Sequence, residues 1–368
     1  MKISLLSLFF LSYSTLWAQN VSTFFNSASG QRIDDALLLD AQGNIYGSHY
    51  QGANVYKVTP SGVVNAVLTG LNTPNGLAFD SQGNLYVCDN IGNRVYKYSP
   101  TFVPLDTLVL SSPSGIIKAM NSDTMIVTTY AGHQLLKLAP NGSLTPFHAG
   151  APLNGPVGMA YDENGQLYVG NFSDRKIYKV FEDSLAYVAT IPGGSNLGFI
   201  TYTQGAIWGA TINQHKIYKV IPSAIDSVIL YSGLVKGAVD GSISQAIFDQ
   251  SNGIVATPSG DTIYISDFGA GRIRIITGIT LDNYLIPEAQ KITLVYPNPT
   301  KSKATVLIEK KFSSIHLKVV NTMGQTMLAK LEVEGTHYTF DLTNLATGAY
   351  YILITIDGQT EAVPVVRE

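Results

Sequence analysis

The sequence predicts an all-β protein in which a six-bladed β-propeller is followed by a small Ig-like β-sandwich. Two observations indicate the propeller: one phrase recurs at intervals of 39 to 56 residues, and each copy holds short β-rich runs separated by turn residues. A third observation indicates the sandwich, because the repeat stops after Ile279 and alternating apolar and polar residues follow. These observations divide the chain into residues 1–19, 20–280, 281–291 and 292–368.

Residues 1–19 have the pattern of a secretory signal peptide. Lys2 gives a positive start, an apolar run covers residues 3–18, and the small residue Ala18 precedes Gln19. The mature chain is expected to begin near Gln19; a buried helix or an uncleaved anchor is the alternative interpretation. No later apolar run reaches the roughly 18–20 residues that span a bilayer, so no transmembrane span is expected in the mature protein.

Residues 20–280 contain six copies of the repeat. The clearest copy is TPNGLAFDSQGNLYV, which begins at Thr73. The second run of most copies carries an aromatic residue, which a degenerate third copy replaces by methionine: Tyr46, Tyr86, Met125, Tyr168, Trp208 and Tyr264. The successive spacings are 40, 39, 43, 40 and 56 residues, close to the length of a propeller blade, with the last spacing stretched by an insertion. Six copies therefore predict six blades around a central channel.

Turn residues separate the predicted strands of each blade. The pattern Asp-x-x-Gly follows the first run in three copies: Asp40 to Gly43, Asp80 to Gly83 and Asp162 to Gly165. The Asp side chain accepts backbone N–H bonds and the Gly adopts a positive φ, which is typical of a tight turn. The last copy has only three β-rich runs, so we predict that the run at residues 21–25 completes blade six as its outer strand and closes the ring.

The propeller region resembles two groups of known proteins. DFGAGRIRI from Asp267 and GAVDGSISQAIFDQSNGI from Gly237 resemble NHL-repeat propellers, whereas TPNGLAFDSQGNLYV resembles gluconolactonase and senescence-marker (regucalcin-like) propellers. The resemblance covers residues 21–278 and implies a six-bladed fold. It leaves the function open, since this fold serves lactonases, lyases and binding platforms.

Residues 292–368, after a predicted linker at 281–291, form the predicted sandwich. Three landmarks occur in order: YPNPT from Tyr296, VVNTMGQ from Val319 and DLTNLATGAYY from Asp341. They resemble the type A C-terminal sorting domain of the bacterial type IX secretion system. The resemblance implies that residues 292–368 interact with that secretion machinery, and that the protein passes through the periplasm and is secreted or displayed on the outer cell surface. An ordinary Ig-like binding module is the alternative.

Candidate metal ligands lie where the innermost strands of the propeller begin. Alignment of the copies places six residues at this point: Asp35, Asn75, Ser114, Val157, Leu197 and Asn252. The carboxylate of Asp35 and the amides of Asn75 and Asn252 provide oxygen ligands that suit Ca²⁺ or Mg²⁺. Gluconolactonase-like enzymes bind a divalent metal here, and the resemblance implies a match at Asn75, whereas Val157 and Leu197 depart from that pattern. Side chains that bond backbone groups are the other interpretation.

A second ring of residues is predicted at the end of the second strand of each blade: His49, Asp89, Thr128, Asn171, Thr211 and Asp267. Asp89 and Asp267 are expected to cap turns by accepting backbone N–H bonds. Asp35 and His49 are the candidate catalytic residues, with His49 as a general base beside Asp35 if both face the channel. A hydrogen-bonded loop histidine is the alternative.

Charge and cysteine content exclude several classes of function. The chain has 23 Lys and Arg against 26 Asp and Glu, and only 13% of its residues are charged. A net charge of -3 argues against a nucleic-acid partner, because phosphate binding requires clustered Lys and Arg. Cys88 is the only cysteine, so neither an internal disulfide nor a cysteine-based zinc site is expected.

Two functions remain open on the sequence. The favoured one is a secreted or cell-surface recognition module that binds a protein or glycan at the mouth of the channel. The alternative is a metal-dependent lactonase or related hydrolase in which Asp35, Asn75 and Asn252 hold the metal. The residues do not decide whether the protein is an enzyme, and the expected cofactor is either none or a divalent cation such as Ca²⁺.

Overall fold

The computed structural model describes residues 19–27, 31–222, 227–233, 235–279, 294–308, 314–321, 325–356 and 359–368. Every regular element in this part of the chain is a β-strand, and no helix there is long and apolar enough to cross a membrane. The chain divides into two compact units, Met1–Asp282 and Asn283–Glu368. The predicted linker, and the predicted signal peptide apart from Gln19, lie outside the described residues.

Strand β1 (Asn20–Asn26) is followed by five blades, each a sheet of four consecutive antiparallel strands. Blade one contains β2 (Leu37–Leu39), β3 (Ile45–Ser48), β4 (Val55–Val58) and β5 (Val64–Leu68). Blade two contains β6 (Pro74–Phe79), β7 (Leu85–Asp89), β8 (Arg94–Tyr98) and β9 (Pro104–Val109). Blade three contains β10 (Pro113–Lys118), β11 (Met125–Thr129), β12 (Gln134–Leu138) and β13 (Leu144–Ala149).

The next two blades repeat this arrangement. Blade four contains β14 (Pro156–Tyr161), β15 (Leu167–Asn171), β16 (Lys176–Val180) and β17 (Leu185–Thr190). Blade five contains β18 (Leu197–Thr203), β19 (Ala206–Thr211), β20 (Lys216–Val220) and β21 (Val228–Ser232). The first strand of each blade contacts the first strand of the next blade, so the sheets surround a central channel.

Blade six joins the two ends of the propeller. It contains β22 (Gly241–Ser242), β23 (Ser251–Ala256), β24 (Thr262–Asp267) and β25 (Arg272–Thr277), in the order β22-β1-β25-β24-β23. Ser22 of β1 lies opposite Ile275 of β25, which confirms that residues 21–25 complete this blade. They are not its outermost strand, because Val21 also lies opposite Gly241 of β22. The short strand β22 therefore covers the edge that β1 would otherwise expose.

Both faces of the middle strands are buried between neighbouring blades. Strands β7 and β19 are buried along their whole length. Tyr168 of blade four packs in one apolar cluster with Ile200 and Tyr218 of blade five. Because these middle strands have no face exposed to water, they lack the usual alternation of apolar and polar residues. Their composition accounts for a charged fraction of only 13%.

Glycines allow the innermost strands to approach one another around the channel. A Cβ on Gly115 of β10 would lie 1.8 Å from the carbonyl oxygen of Val157 in blade four. At Gly76, Gly158 and Gly253 a Cβ would lie 1.9 to 2.5 Å from the backbone of the next blade. The close approach at these glycines places the residue that precedes each of them at the mouth of the channel. These preceding residues are Asn75, Ser114, Val157 and Asn252.

The strand register corrects the alignment of the degenerate third copy. Ile126, not Met125, takes the place of Tyr86, because Ile126 lies opposite the matching residue of the first strand. The same shift makes Thr129, not Thr128, the member of the second ring in blade three. The sequence of this copy has no aromatic residue in its second strand, so its alignment lacked a fixed point.

The second unit consists of two four-stranded antiparallel sheets. The first contains β26 (Leu294–Tyr296), β27 (Lys303–Leu307), β31 (His337–Asp341) and β30 (Lys330–Glu334), in that order. The second contains β29 (Thr326–Met327), β28 (Ile315–Asn321), β32 (Gly348–Ile356) and β33 (Gln359–Arg367), in that order. Val306 and Phe340 of the first sheet share one apolar core with Val319 and Ile352 of the second. The unit is therefore the predicted β-sandwich.

Candidate functional site

A recess of about 330 Å³ opens at the end of the channel where the innermost strands begin. Its lining combines residues at the start of first strands with residues that follow second strands: Asp35, Tyr50, Asn75, Asn90, Ser114, Tyr130, Val157, Phe172, Asn196, Phe199, Ile212, Asn213, Asn252 and Phe268. The structure thus brings Asp35, Asn75 and Asn252 to one recess, which we call the channel mouth. Leu197 does not line it.

The register of blade five explains why Leu197 is absent from the channel mouth. Leu197 pairs with Thr211 as Pro74 pairs with Asp89 in blade two, so Gly198 takes the place of Asn75. Leu197 is fully buried in an apolar cluster between blades four and five. Blade five therefore offers no side chain at this place.

The floor of the channel mouth is formed by Asp35, Asn75, Ser114 and Asn252. Nδ2 of Asn252 donates to Oδ1 of Asp35 at 2.6 Å, and Nδ2 of Asn75 donates to Oγ of Ser114 at 3.1 Å. Within the described residues, Oδ2 of Asp35 and Oδ1 of Asn75 are buried and have no hydrogen-bond partner. Buried polar atoms are nearly always paired, so these two oxygens stand out as unsatisfied groups among the lining residues of the recess.

Burial raises the pKa of Asp35 well above its ordinary value. Loss of solvation is the main cause and the nearby carboxylate of Asp34 adds to it, whereas the hydrogen bond from Asn252 opposes the shift. The shift favours the protonated form of the carboxyl group. Oδ2 of Asp35 accepts a hydrogen bond when ionised and donates one when protonated, while Oδ1 of Asn75 only accepts.

Aromatic side chains form the walls of the channel mouth, at positions that the sequence motifs do not predict. We call the residue directly after the second ring in each blade the rim position, and it holds Tyr50, Asn90, Tyr130, Phe172, Ile212 and Phe268. Four of these six are aromatic. The ring centroids of Tyr50 and Phe268 lie 6.1 Å apart, and those of Tyr130 and Phe172 lie 5.6 Å apart. Four aromatic residues at one place in six otherwise polar loops are the signal that identifies them.

His49 lies outside the channel mouth and pairs with Asp34 instead of Asp35. Its Nδ1 lies 3.0 Å from Oδ2 of Asp34, which also accepts a hydrogen bond from Nε of Arg32 at 2.9 Å. These three residues line a separate groove together with Lys236. The predicted pairing of His49 with Asp35 is therefore replaced by a pairing with the preceding carboxylate.

The two aspartates of the second ring accept backbone N–H bonds from the loop before the first strand, whereas the sequence predicted that they cap the turn after the second strand. Asp89 accepts from Asn72 at 2.9 Å, and Asp267 accepts from Asp249 at 2.7 Å. Burial raises the pKa of Asp267 to about 6, although the bond from Asp249 and the charge of Arg274 oppose this shift. Both carboxyl groups fix the loop that leads into the first strand of their blade.

The predicted metal ligands form an incomplete set. Asn252 directs its amide nitrogen, not its oxygen, at Asp35. Across the described ranges, no group of three or more His, Cys, Asp or Glu side chains is placed to hold a metal ion. Ca²⁺ takes roughly six to eight oxygen ligands. Oδ2 of Asp35 and Oδ1 of Asn75 would therefore supply only a minority of them.

Comparison with protein families identifies the C-terminal unit. Residues 294–366 match the family described as the secretion system C-terminal sorting domain. The match confirms the domain that the three landmarks of the sequence predict. A domain of this kind implies interaction with the type IX secretion machinery and export to the cell surface or beyond.

Solved structures share the fold of the propeller. An auxiliary nutrient binding protein from Bacteroides thetaiotaomicron has a TM-score of 0.60 and 14% identity, covering 70% of this chain and 76% of its own. A gluconolactonase from Xanthomonas campestris has a TM-score of 0.56 and 16% identity, covering 71% and 90%. A virginiamycin B lyase from Staphylococcus aureus has a TM-score of 0.53 and 15% identity, covering 70% and 99%. At these identities the likeness shows the fold alone.

None of the curated proteins matches the chain. The arrangement of six sheets and the similar solved structures agree on the first unit, and the family match identifies the second. The chain is therefore a six-bladed β-propeller that ends in a secretion system C-terminal sorting domain.

Proposed function

We propose that the protein is an exported recognition module whose propeller binds a glycan at the channel mouth. The observation that carries the proposal is a floor with two buried, unpartnered oxygens between aromatic walls, within the part of the chain that the structure describes. A sugar ring has apolar faces that pack on aromatic side chains, and hydroxyl groups that both donate and accept hydrogen bonds. Such hydroxyl groups suit Asn75, which accepts, and Asp35 in either protonation state.

The size of the channel mouth favours a glycan over a folded protein. Its volume of about 330 Å³ lies within the range of small-molecule pockets, roughly 300–1,000 Å³. A folded partner would contact the rim and leave the oxygens of the floor unpaired. The auxiliary nutrient binding protein from Bacteroides thetaiotaomicron shares this fold, and capture of a nutrient outside the cell is compatible with an exported propeller.

A glycan array tests this proposal, with the intact protein as the probe. We expect binding to a subset of glycans, and a loss of roughly fivefold in affinity for Tyr130→Ala, because one aromatic contact contributes about 1 kcal/mol. Tyr187→Ala is the matched control: both tyrosines are 38% exposed, but Tyr187 lies on the outer strand β17. The absence of any glycan binding, or an equal loss in both variants, would contradict the proposal.

A metal-dependent lactonase is the second candidate function. It is favoured by the same two oxygens, Oδ2 of Asp35 and Oδ1 of Asn75, which can also bind a cation. The metal content of the purified protein, before and after treatment with a chelator, distinguishes the two functions. Stoichiometric Ca²⁺ that is lost in Asn75→Ala but kept in the surface variant Asn141→Ala, together with lactone hydrolysis, would replace the glycan proposal with this one.

A further inference from the structure

The aromatic walls stand on two opposite sides of the channel mouth. Tyr50 and Phe268 are contributed by blades one and six, which are neighbours in the closed ring. Tyr130 and Phe172 are contributed by blades three and four, which are also neighbours. In a ring of six blades these two pairs lie across the channel from each other. At the rim the walls therefore enclose a slot, and Phe199 of β18 adds a further aromatic residue to the lining at the blade-five end.

The two ends of the slot carry no aromatic residue at the rim position. Blade two has Asn90 there, above Asn75 of the floor, and blade five has Ile212, which is followed by Asn213. The amide nitrogen of Asn90 donates to the carbonyl oxygen of Pro113 at 3.0 Å. Amide groups at both ends suit a ligand whose polar groups continue along the slot.

The lining of the slot has almost no charge. Among its 14 described lining residues there is no Lys, Arg or His, and Asp35 is the single acidic residue. Burial favours the neutral form of this acid by raising its pKa. Arg32 and Lys236 lie in the separate groove beyond the wall. An acidic ligand would therefore lose its hydration in the slot without gaining a cationic partner.

We propose that the slot binds the interior of a neutral, linear glycan that runs across the channel mouth from blade two to blade five. This inference rests on the proposed glycan recognition and specifies the class of glycan. Sugar faces pack between the pairs Tyr50–Phe268 and Tyr130–Phe172. Hydroxyl groups donate to Oδ1 of Asn75 and exchange hydrogen bonds with Asp35. Further sugar units leave the slot at both ends.

Titration calorimetry of the full protein against oligosaccharides of increasing length tests the inference. The probes are β-1,4-glucose, α-1,4-glucose and β-1,4-xylose series from the monosaccharide to the hexasaccharide, with oligogalacturonates of equal length as acidic controls. We expect affinity to rise with chain length in at least one neutral series and then reach a plateau, and oligogalacturonates to bind roughly tenfold or more weakly.

The possible outcomes separate this inference from the proposed function. A monosaccharide that binds as tightly as the hexasaccharide would overturn the slot and leave glycan recognition standing. Equal affinity for the acidic and neutral chains would overturn the assigned neutrality. No binding to any neutral series, together with a negative glycan array, would overturn glycan recognition itself.

Blocking one end of the slot provides a second test. We expect Ile212→Trp to reduce the affinity for the hexasaccharide by roughly tenfold or more, a larger factor than for the monosaccharide. Leu230→Trp, on the outer strand of the same blade, is the matched control, because it adds an equally large side chain away from the channel mouth. Unchanged hexasaccharide binding in Ile212→Trp would overturn the inference. If this variant does not fold, the chain-length series of the wild-type protein decides alone.

Discussion

The carboxyl group of Asp35 makes the stability of the propeller depend on pH. Because its pKa is raised in the folded state, the folded protein binds the proton more tightly than the unfolded chain. The contribution of Asp35 to stability is therefore greatest below the unfolded pKa, about 3.9, and is lost as the pH rises through this value toward the folded pKa. We expect Asp35→Asn to melt at a higher temperature than the wild type at pH 7, and this gain to shrink toward pH 4.

Circular dichroism melting curves across this pH range measure the effect. Asp183→Asn changes an acidic residue at an exposed turn and is expected to leave the melting temperature nearly constant. Asp267 has a shift of the same sign, with a pKa of about 6, but it is present in all three proteins and cancels from the comparison. Equal melting temperatures of Asp35→Asn and the wild type at pH 7 would show that the carboxyl group is not buried as described.

A methyl group at Gly115 is expected to destabilise the propeller. The new Cβ would lie 1.8 Å from the carbonyl oxygen of Val157, so either β10 or β14 must move. Overpacking of this kind costs about 1–3 kcal/mol, which corresponds to a clear fall in melting temperature. Gly194→Ala is the control, because no atom lies within 4 Å of its added Cβ. If the Gly115→Ala protein had the same melting temperature as the Gly194→Ala control, this result would contradict the close packing of the innermost strands.

At the residue scale, the sequence predicts which positions reach the channel mouth better than which atoms meet there. Asn75 and Asn252 are recognisable because each precedes a glycine in a repeated phrase. The partner of His49 is not recognisable, because Asp34 and Asp35 are adjacent and successive side chains of extended backbone point to opposite sides. Only the three-dimensional path of the loop determines that Asp34 meets the histidine.

Strand β1 is expected to be essential for a closed propeller. Val21 and Phe25 are buried, and the backbone N–H of Thr23 donates to Asp240 at 3.0 Å. Deletion of residues 19–26 would expose the edge of β25, and we expect the product to unfold or to associate through that edge. Melting curves and size-exclusion chromatography measure this outcome. A protein that lacks only residues 1–18 is the control, and equal melting temperatures of the two would contradict the closure.

At the scale of elements, the sequence predicts β1 but not β22. The run at residues 21–25 is β-rich and has no other partner, whereas β22 consists only of Gly241 and Ser242. The position of β22 depends on tertiary contacts of the insertion that precedes it, which includes Val239 and Asp240. Arg274 is fully buried, donates to Asp240 at 2.7 Å and to the carbonyl oxygen of Val239 at 2.8 Å, and so fastens the insertion to blade six. No local pattern encodes these long-range bonds.

For the whole molecule, we expect the two units to have separable roles. Each unit has an apolar core of its own. Removal of residues 292–368 is therefore expected to leave the melting temperature and glycan affinity of the propeller unchanged, while the protein is retained in the periplasm. Cell fractionation and calorimetry measure the two effects. Export of the shortened chain to the outer surface would contradict the role of the sorting domain.

At this scale the sequence predicts most of the architecture, because periodicity and three landmarks are properties of long segments. A spacing near 40 residues indicates blades even where one copy is degenerate. The slot was not predictable in the same way. The slot depends on which blades carry aromatic residues at the rim position and on the order of those blades around the ring. Blades one and six become neighbours only when the ring is closed.

Closure of the ring also affects the time at which the propeller can fold. Ser22 and Ile275 pair although they are 253 positions apart in the chain. Contacts so distant in sequence form slowly, and none of them exists before the sixth blade has been synthesised. An unfinished chain thus leaves β1 without its partner strand β25. The propeller therefore reaches its full stability only after the last blade has been added.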